Sequence, residues 1–369
     1  MGRMKKAAPG PVIAARLASC REQMAKHRLP AYLVTDPRDT YYMSGFTGED
    51  SAVLVTPRAA HVVSDARFDE AIDAEVPWAM KHLRKGLLID EIGKLVVRLK
   101  LERLGVQSES MTMAMHKALR KAAKPARIVA APPITERLRR CKDATELTVL
   151  NRAIAVAQDS FQTVRRWIRV GQTEREVAAR LEYEMGQRGA SGPAFGTICA
   201  AGASASRPHA QARDYKIRQG QAVLIDWGAT VGYYRSDLTR MLFIGRIPSR
   251  IARIYDIVLD AQQAAIDAIR PGERMCDIDR VARTVIAKAG YGKQFAHGLG
   301  HGLGLAVHEP PSLSWRSTER LAAGMVVTVE PGIYLPGVGG VRIEDDVLVT
   351  SDGCRVLSDL PKDKRDAVV

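Results

Sequence analysis

Four acidic residues sit in apolar, strand-like runs, and they restrict the possible folds of this chain more than any other feature. The run Val223-Leu224-Ile225-Asp226-Trp227-Gly228 is followed by Tyr234-Arg235-Ser236-Asp237-Leu238-Thr239-Arg240. Further on, Val326-Val327-Thr328-Val329-Glu330-Pro331-Gly332 is followed by Gly340-Val341-Arg342-Ile343-Glu344. An acid buried in such a run is costly unless it is paired or binds a cation. A hairpin turning at Val231-Gly232 sets Asp226 directly opposite Asp237, on one face, with Cβ atoms about 4.5–5.5 Å apart. A hairpin turning at Gly337 sets Glu330 opposite Glu344 in the same way. Either pair alone could be answered by Arg240 or Arg342. Two pairs in mirrored register predict a fold that gathers four carboxylates around positive charge.

Between the pairs lies His297-Gly298-Leu299-Gly300-His301-Gly302-Leu303-Gly304-Leu305-Ala306-Val307-His308-Glu309, which holds three of the eight histidines. The glycines, and the absence of Glu after His297, rule out a zincin helix. One histidine here can supply a nitrogen ligand, and another can stay free to hydrogen-bond a reacting carbonyl. Four carboxylates and an imidazole exceed what one ion with open positions uses. Two divalent ions about 3.5–4 Å apart, bridged by one or two carboxylates, would use them, hold a hydroxide between them and polarise a carbonyl. Oxygen-rich ligation favours manganese, with cobalt, iron or zinc also admissible.

The frame around these residues reads as α+β. At 369 residues the chain suggests two domains. Helical periodicity covers 14–29, 87–101 and 111–124. Strands are expected at 31–35, 51–56 and 60–64, with a turn at Asp36-Pro37-Arg38-Asp39. Ala130-Ala131-Pro132-Pro133 marks a boundary, giving a small α/β domain at 1–133 and a larger domain at 134–369. In the larger domain helices are expected at 143–170, 174–188 (Thr173 as N-cap, Gly189 as stop), 251–269 and 277–289. Strand signals fill 197–244 and 326–349, so paired helices lead to a hairpin twice, a hint of distant duplication. Long helices alternating with hairpins predict a mostly antiparallel sheet.

Composition excludes several classes. No apolar run approaches the ~18–20 residues of a membrane span. Met1–Gly10 is basic without an apolar stretch, so no secretory signal is expected there. The five cysteines are an odd number, widely spread and without a CxxC pair, which predicts a reducing, cytoplasmic setting. The net charge is +14, and residues 1–140 hold 25 of the 55 basic and 15 of the 41 acidic side chains, so most of the surplus lies there. No aromatics interleave with the basic runs 117–127 and 137–142, which argues against a single-strand nucleic-acid platform.

The set Asp-Trp-Gly…Ser-Asp-Leu-Thr-Arg, Gly-His-Gly-Leu-Gly…His-Glu, Val-Glu-Pro-Gly and Arg-Ile-Glu-Asp resembles the pita-bread dinuclear metallopeptidases, over about residues 140–360. That family includes methionine aminopeptidase, aminopeptidase P and prolidase. Tyr41-Tyr42-Met43-Ser44-Gly45-Phe46-Thr47-Gly48 more weakly resembles the N-terminal domain of aminopeptidase P, prolidase and creatinase. The combination points to the proline-specific branch. The resemblance implies a creatinase/prolidase-like N-terminal domain, followed by a pita-bread domain with a curved, mostly antiparallel sheet flanked by helices. It implies Asp226, Asp237, His301, Glu330 and Glu344 as ligands of two divalent metals. It makes His209 and His308 contacts of the substrate or its oxyanion, Glu330 a proton shuttle as well as a ligand, and Thr239 and Arg342 orienters of the ligands. His297 receives no catalytic role. The implied reaction cleaves the bond between an N-terminal residue and proline, in Xaa-Pro dipeptides or short peptides, by a homodimer. Many prolidases carry an arginine shortly after the His-Glu pair, but here position 312 is Ser and the arginine is Arg316. That departure opens the site to longer Xaa-Pro peptides. Trp315 either lines the proline pocket or simply packs. The competing readings are a same-fold enzyme acting on another small substrate, and a non-enzymatic basic interaction protein.

Overall fold

The computed structural model describes residues 8–369, and the chain divides into two compact units between Arg139 and Arg140. The Met1–Ala7 part of the segment read for a secretory signal lies outside the described residues. The first unit is a six-stranded sheet with helices. Its strands are β1 (Tyr32–Val34), β2 (Ala52–Val55), β3 (Ala60–Asp65), β4 (Met80–Arg84), β5 (Arg103–Gln107) and β6 (Arg127–Ala131), in the order β4-β3-β2-β1-β5-β6. β2 and β3 form the expected antiparallel pair around Pro57, whereas β5 runs parallel to both β1 and β6. Leu33, Leu54, Val63, Ile92, Leu95 and Leu119 build its core.

The Asp36–Asp39 segment is a correction. It starts the helix Pro37–Ser44, with the Asp36 carboxylate accepting the backbone N–H of Arg38 at 2.9 Å and of Asp39 at 3.4 Å. Asp-Pro is as good an N-cap and first helical position as it is a turn, and here the cap wins. The short helix Ile134–Arg139 follows the Pro132-Pro133 pair and falls on the first unit's side of the division.

In the second unit, local signals set the helix ends. Ala144–Trp167 begins with a capping box between Asp143 and Glu146, and Glu174–Gln187 with one between Thr173 and Glu176. Gly189 then turns with φ +91°, in the left-handed region that favours glycine. Ser249–Ala268 and Met275–Lys288 form the second helix pair.

Two antiparallel sheets carry the acids. One has the strand order 238–243, 222–227, 198–201; the other runs 309–313, 300–302, 326–329, 345–349, 354–356. An antiparallel bridge between Thr239 and Glu344 joins them, with Glu344 N–H donating to Thr239 O at 3.2 Å. The central strand 222–227 alternates strictly. Val223, Ile225 and Trp227 enter one core with the helices 144–167 and 174–187, and Ala222 and Leu224 enter another with 249–268 and 275–288. Asp226 therefore shares the Leu224 face. Trp227 anchors the opposite face. Its ring stacks on Phe161 at 4.4 Å, and its Nε1–H donates to Ala157 O at 2.9 Å.

Candidate active site

The first hairpin corrects the expected register. Its turn is Gly232-Tyr233, both left-handed at φ +51° and +70°, flanked by the pair Val231–Tyr234. A two-residue turn of this hand matches strand twist, so the hairpin centres one residue later than the midpoint of the two acids. Asp226 consequently faces Thr239, and Asp237 lies diagonally, two residues before that partner. A shift of two keeps the side chain on the same face, so the acids still converge. Gly228 permits this closeness, because a Cβ there would lie 1.8 Å from Ser236 O.

The second hairpin keeps the expected register. Val329 pairs Asp345 on one side of the acids and Gly332 pairs Arg342 on the other, which sets Glu330 across from Glu344 around Gly337.

All five residues read as ligands come together. Ligand atoms of Asp226, Asp237 and Glu344 lie within 4.8 Å of one another, as do those of His301, Glu330 and Glu344, and of Asp237, His301 and His308. Glu344, Asp237 and His301 each belong to two of these triads, so the groups form one connected cluster. His301 Nδ1 bonds Gly302 O at 3.2 Å, which leaves Nε2 3.3 Å from Glu330 Oε1 and 3.6 Å from Asp237 Oδ2. Burial drives the His301 imidazole down to about 3, so it is a neutral lone-pair donor. Burial, and then repulsion among the acids, raises Asp237 and Glu344 well above the carboxylate range. Burial raises Asp226 too, against the pull of Arg342, and lifts Glu330 to about 8. Crowded carboxylates of this kind call for compensating positive charge. Asp226 Oδ1 is moreover buried and accepts no hydrogen bond from any described residue, which leaves a lone pair for a cation. The donor set thus fits divalent metals.

Arg342 and Thr239 hold the cluster in place. Arg342 Nη2 donates to Asp226 Oδ2 at 2.5 Å, and its Nε donates to Thr239 Oγ1 at 3.0 Å. Thr239 Oγ1 donates onward to Glu344 Oε2 at 2.6 Å. Arg342 also reaches Pro208 O at 3.4 Å, beside His209. His209 and His308 are exposed on the wall of a cavity of about 910 Å3 that also includes the five acid and imidazole groups. The His308 ring meets that of His301 edge-on, with centroids 4.3 Å apart.

Sequence reasoning missed Tyr334 and the place of His297. Tyr334 OH accepts from Arg342 Nη1 at 2.8 Å and lies 2.9 Å from His297 Nε2, whose ring lines the same cavity. The signal was present: 330, 332 and 334 share one strand face. Trp315 and Arg316 also line the cavity, and Trp315 lies 4.6 Å from the Arg283 guanidinium.

An α+β frame that draws four carboxylates and a neutral imidazole onto one cavity wall defines a carboxylate-rich metal-binding centre. The model of metallopeptidase family M24 matches residues 148–351, and that of the creatinase/prolidase N-terminal domain matches residues 16–141. The chain belongs to metallopeptidase family M24. It is 36% identical over 338 residues to the Xaa-Pro dipeptidase of Pyrococcus horikoshii, an alignment covering 91% of this chain and 95% of that protein. It is similar to the solved Xaa-Pro dipeptidase from Bacillus anthracis, with a TM-score of 0.93 and 34% identity over 97% of this chain and 100% of that one. The X-Pro aminopeptidase from Thermotoga maritima MSB8 gives 0.87 and 34%, over 93% and 99% of the two chains.

Proposed function

We propose that this chain hydrolyses the bond between an N-terminal residue and a following proline. The observation that carries the reading is the convergence of Asp226, Asp237, His301, Glu330 and Glu344 on one cavity, together with similarity to Xaa-Pro dipeptidases along nearly the whole chain. Those five residues would hold two divalent ions, manganese by preference for hard oxygen donors, which when bound would supply Lewis-acid activation of water and carbonyl.

The chain's own groups do the rest. Glu330, whose carboxylate lies on the cavity wall 3.3 Å from His301 Nε2, takes the proton from the attacking water and returns it to the leaving proline nitrogen. The leaving nitrogen, as in any peptide bond, must receive that proton, and a proline imide has no N–H of its own to offer the site. His209 and His308 hydrogen-bond the scissile carbonyl as negative charge develops on its oxygen. Arg342 and Thr239 keep Asp226 and Glu344 in orientation, so little reorganisation accompanies the reaction.

A cavity of about 910 Å3 has room for more than a dipeptide, and Ser312 and Arg316 on its wall suit Xaa-Pro-Xaa peptides as well as Xaa-Pro. The five free thiols support a reducing, cytoplasmic setting, and the homodimer rests on the family resemblance alone. A manganese-loaded sample tested against paired Xaa-Pro and Xaa-Pro-Xaa panels, with metal analysis, tests the reading. Turnover of proline peptides alone is expected. Failure on every member of both panels would refute it.

A further inference from the structure

We infer that Lys142 is a positioning residue for His308, acting through a buried ion pair with Glu309; this rests on the role proposed above for His308. Lys142 precedes the helix Ala144–Trp167, and its backbone N–H donates to Gly324 O at 2.8 Å, which anchors it to the base of the second sheet. Its Nζ donates to Glu309 Oε1 at 3.0 Å, with the two side chains only 1% and 6% exposed. The other oxygen, Glu309 Oε2, accepts the backbone N–H of Ala306 at 3.3 Å. Glu309 also pairs with Gly302 in the ladder, where a bulge separates Gly302 from His301.

Glu309 therefore ties the 302–309 loop, its backbone paired with Gly302 and its carboxylate accepting the Ala306 N–H, and this loop begins next to His301 and contains His308. The packing is close: a Cβ on Gly304 would lie 2.7 Å from Glu309 Oε1 and 3.1 Å from Lys142 Cε. His308 is exposed on the cavity wall and depends on its neighbours for orientation. Its immediate neighbour, Glu309, is held by a cation drawn from a distant part of the chain. Burying two charges is a poor way to gain stability compared with apolar packing. A directional tie that holds one residue of the site explains why they are buried here.

Lys142→Met, Glu309→Gln and the double variant test this in the full chain, loaded with manganese for the kinetics and with diamagnetic zinc for the NMR. The measurements are kcat and KM on an Xaa-Pro peptide turned over by the wild type, the unfolding midpoint, and the NMR signals of the His308 ring. All three variants are expected to lose about 100-fold in kcat, the scale of a ~1 Å misplacement, with KM little changed. The His308 signals shift or broaden in each. The double variant recovers the midpoint relative to the singles, because no lone charge is left buried, but it does not recover kcat. Recovery of kcat together with the midpoint would overturn the inference, as would unchanged His308 signals. Should Lys142→Met fail to fold, the double variant carries the same comparison. A wild type inactive on every proline peptide refutes the proposed substrate, while the His308 signals still decide the role of Lys142.

Discussion

Removing the metal should make the fold sensitive to alkaline pH, and the size of the effect follows from Glu330. In the metal-free protein its carboxyl titrates at about 8, against 4.5 for the ordinary group, chiefly because it is buried. The folded state therefore holds a proton that the unfolded state has released, and stability falls as pH rises from 4.5 through 8. His301, pushed down to about 3 by burial, acts in the opposite sense, but only below 6.5, where the unfolded chain takes up a proton. Between pH 6.5 and 8 the carboxylate effect stands alone. That span of about 1.5 pH units, at about 1.4 kcal/mol each, comes to about 2 kcal/mol. For a unit of this size it lowers the melting temperature by about 4–8 °C. Asp226, Asp237 and Glu344 are raised in the same direction and add to the slope. Thermal unfolding in chelator at pH 6.5 and 8.0 measures the difference, with the manganese-loaded protein as reference. The loaded protein should melt at nearly the same temperature at both values, since bound cations compensate the ionised carboxylates. Glu330→Gln should reduce the metal-free slope by the share of Glu330, leaving that of the other three acids. A metal-free melting temperature equal at the two pH values, or a slope left unchanged by Glu330→Gln, would refute the reasoning.

Three further outcomes are expected. Asp226→Asn should abolish both metal binding and turnover, read by metal analysis and peptide hydrolysis; near-normal stoichiometry would remove Asp226 from the ligand set. Thr239→Val strips the hydroxyl between Arg342 and Glu344 and leaves buried partners unsatisfied, costing about 1–3 kcal/mol in denaturant unfolding and lowering kcat. Trp227→Ala removes the ring stacked on Phe161 behind the Asp226 strand and should cost about 3–5 kcal/mol, read by the same unfolding assay.

Much of the fold was legible because it depends on near neighbours in the sequence. Thr173 with Glu176 is a capping box whose ends are three residues apart, and Gly189 stops that helix through its own backbone freedom. Val223 to Trp227 alternate because a strand has period two, and that alternation by itself assigns Asp226 to the same face as Leu224. The Glu330–Glu344 pairing was readable for the same reason, since a single glycine turn fixes the register of both ladders.

What escaped the sequence needed partners from far along the chain, or a choice between equal local options. The Gly232-Tyr233 turn, selected by strand twist over the symmetric centre, moved Asp226 from Asp237 to Thr239. Asp36-Pro37 was equally good as a turn and as a helix start, and the helix won. The links from His297 through Tyr334 and Arg342 to Asp226 span 116 positions between their last two members, and the Lys142–Glu309 pair spans 167. The sequence alone determined which side chains could serve and which face each would take, because helix and strand periodicity are short-range properties of the backbone. Only the tertiary structure decided which of them meet, because a buried charge finds its partner through the packing of whole sheets and helices.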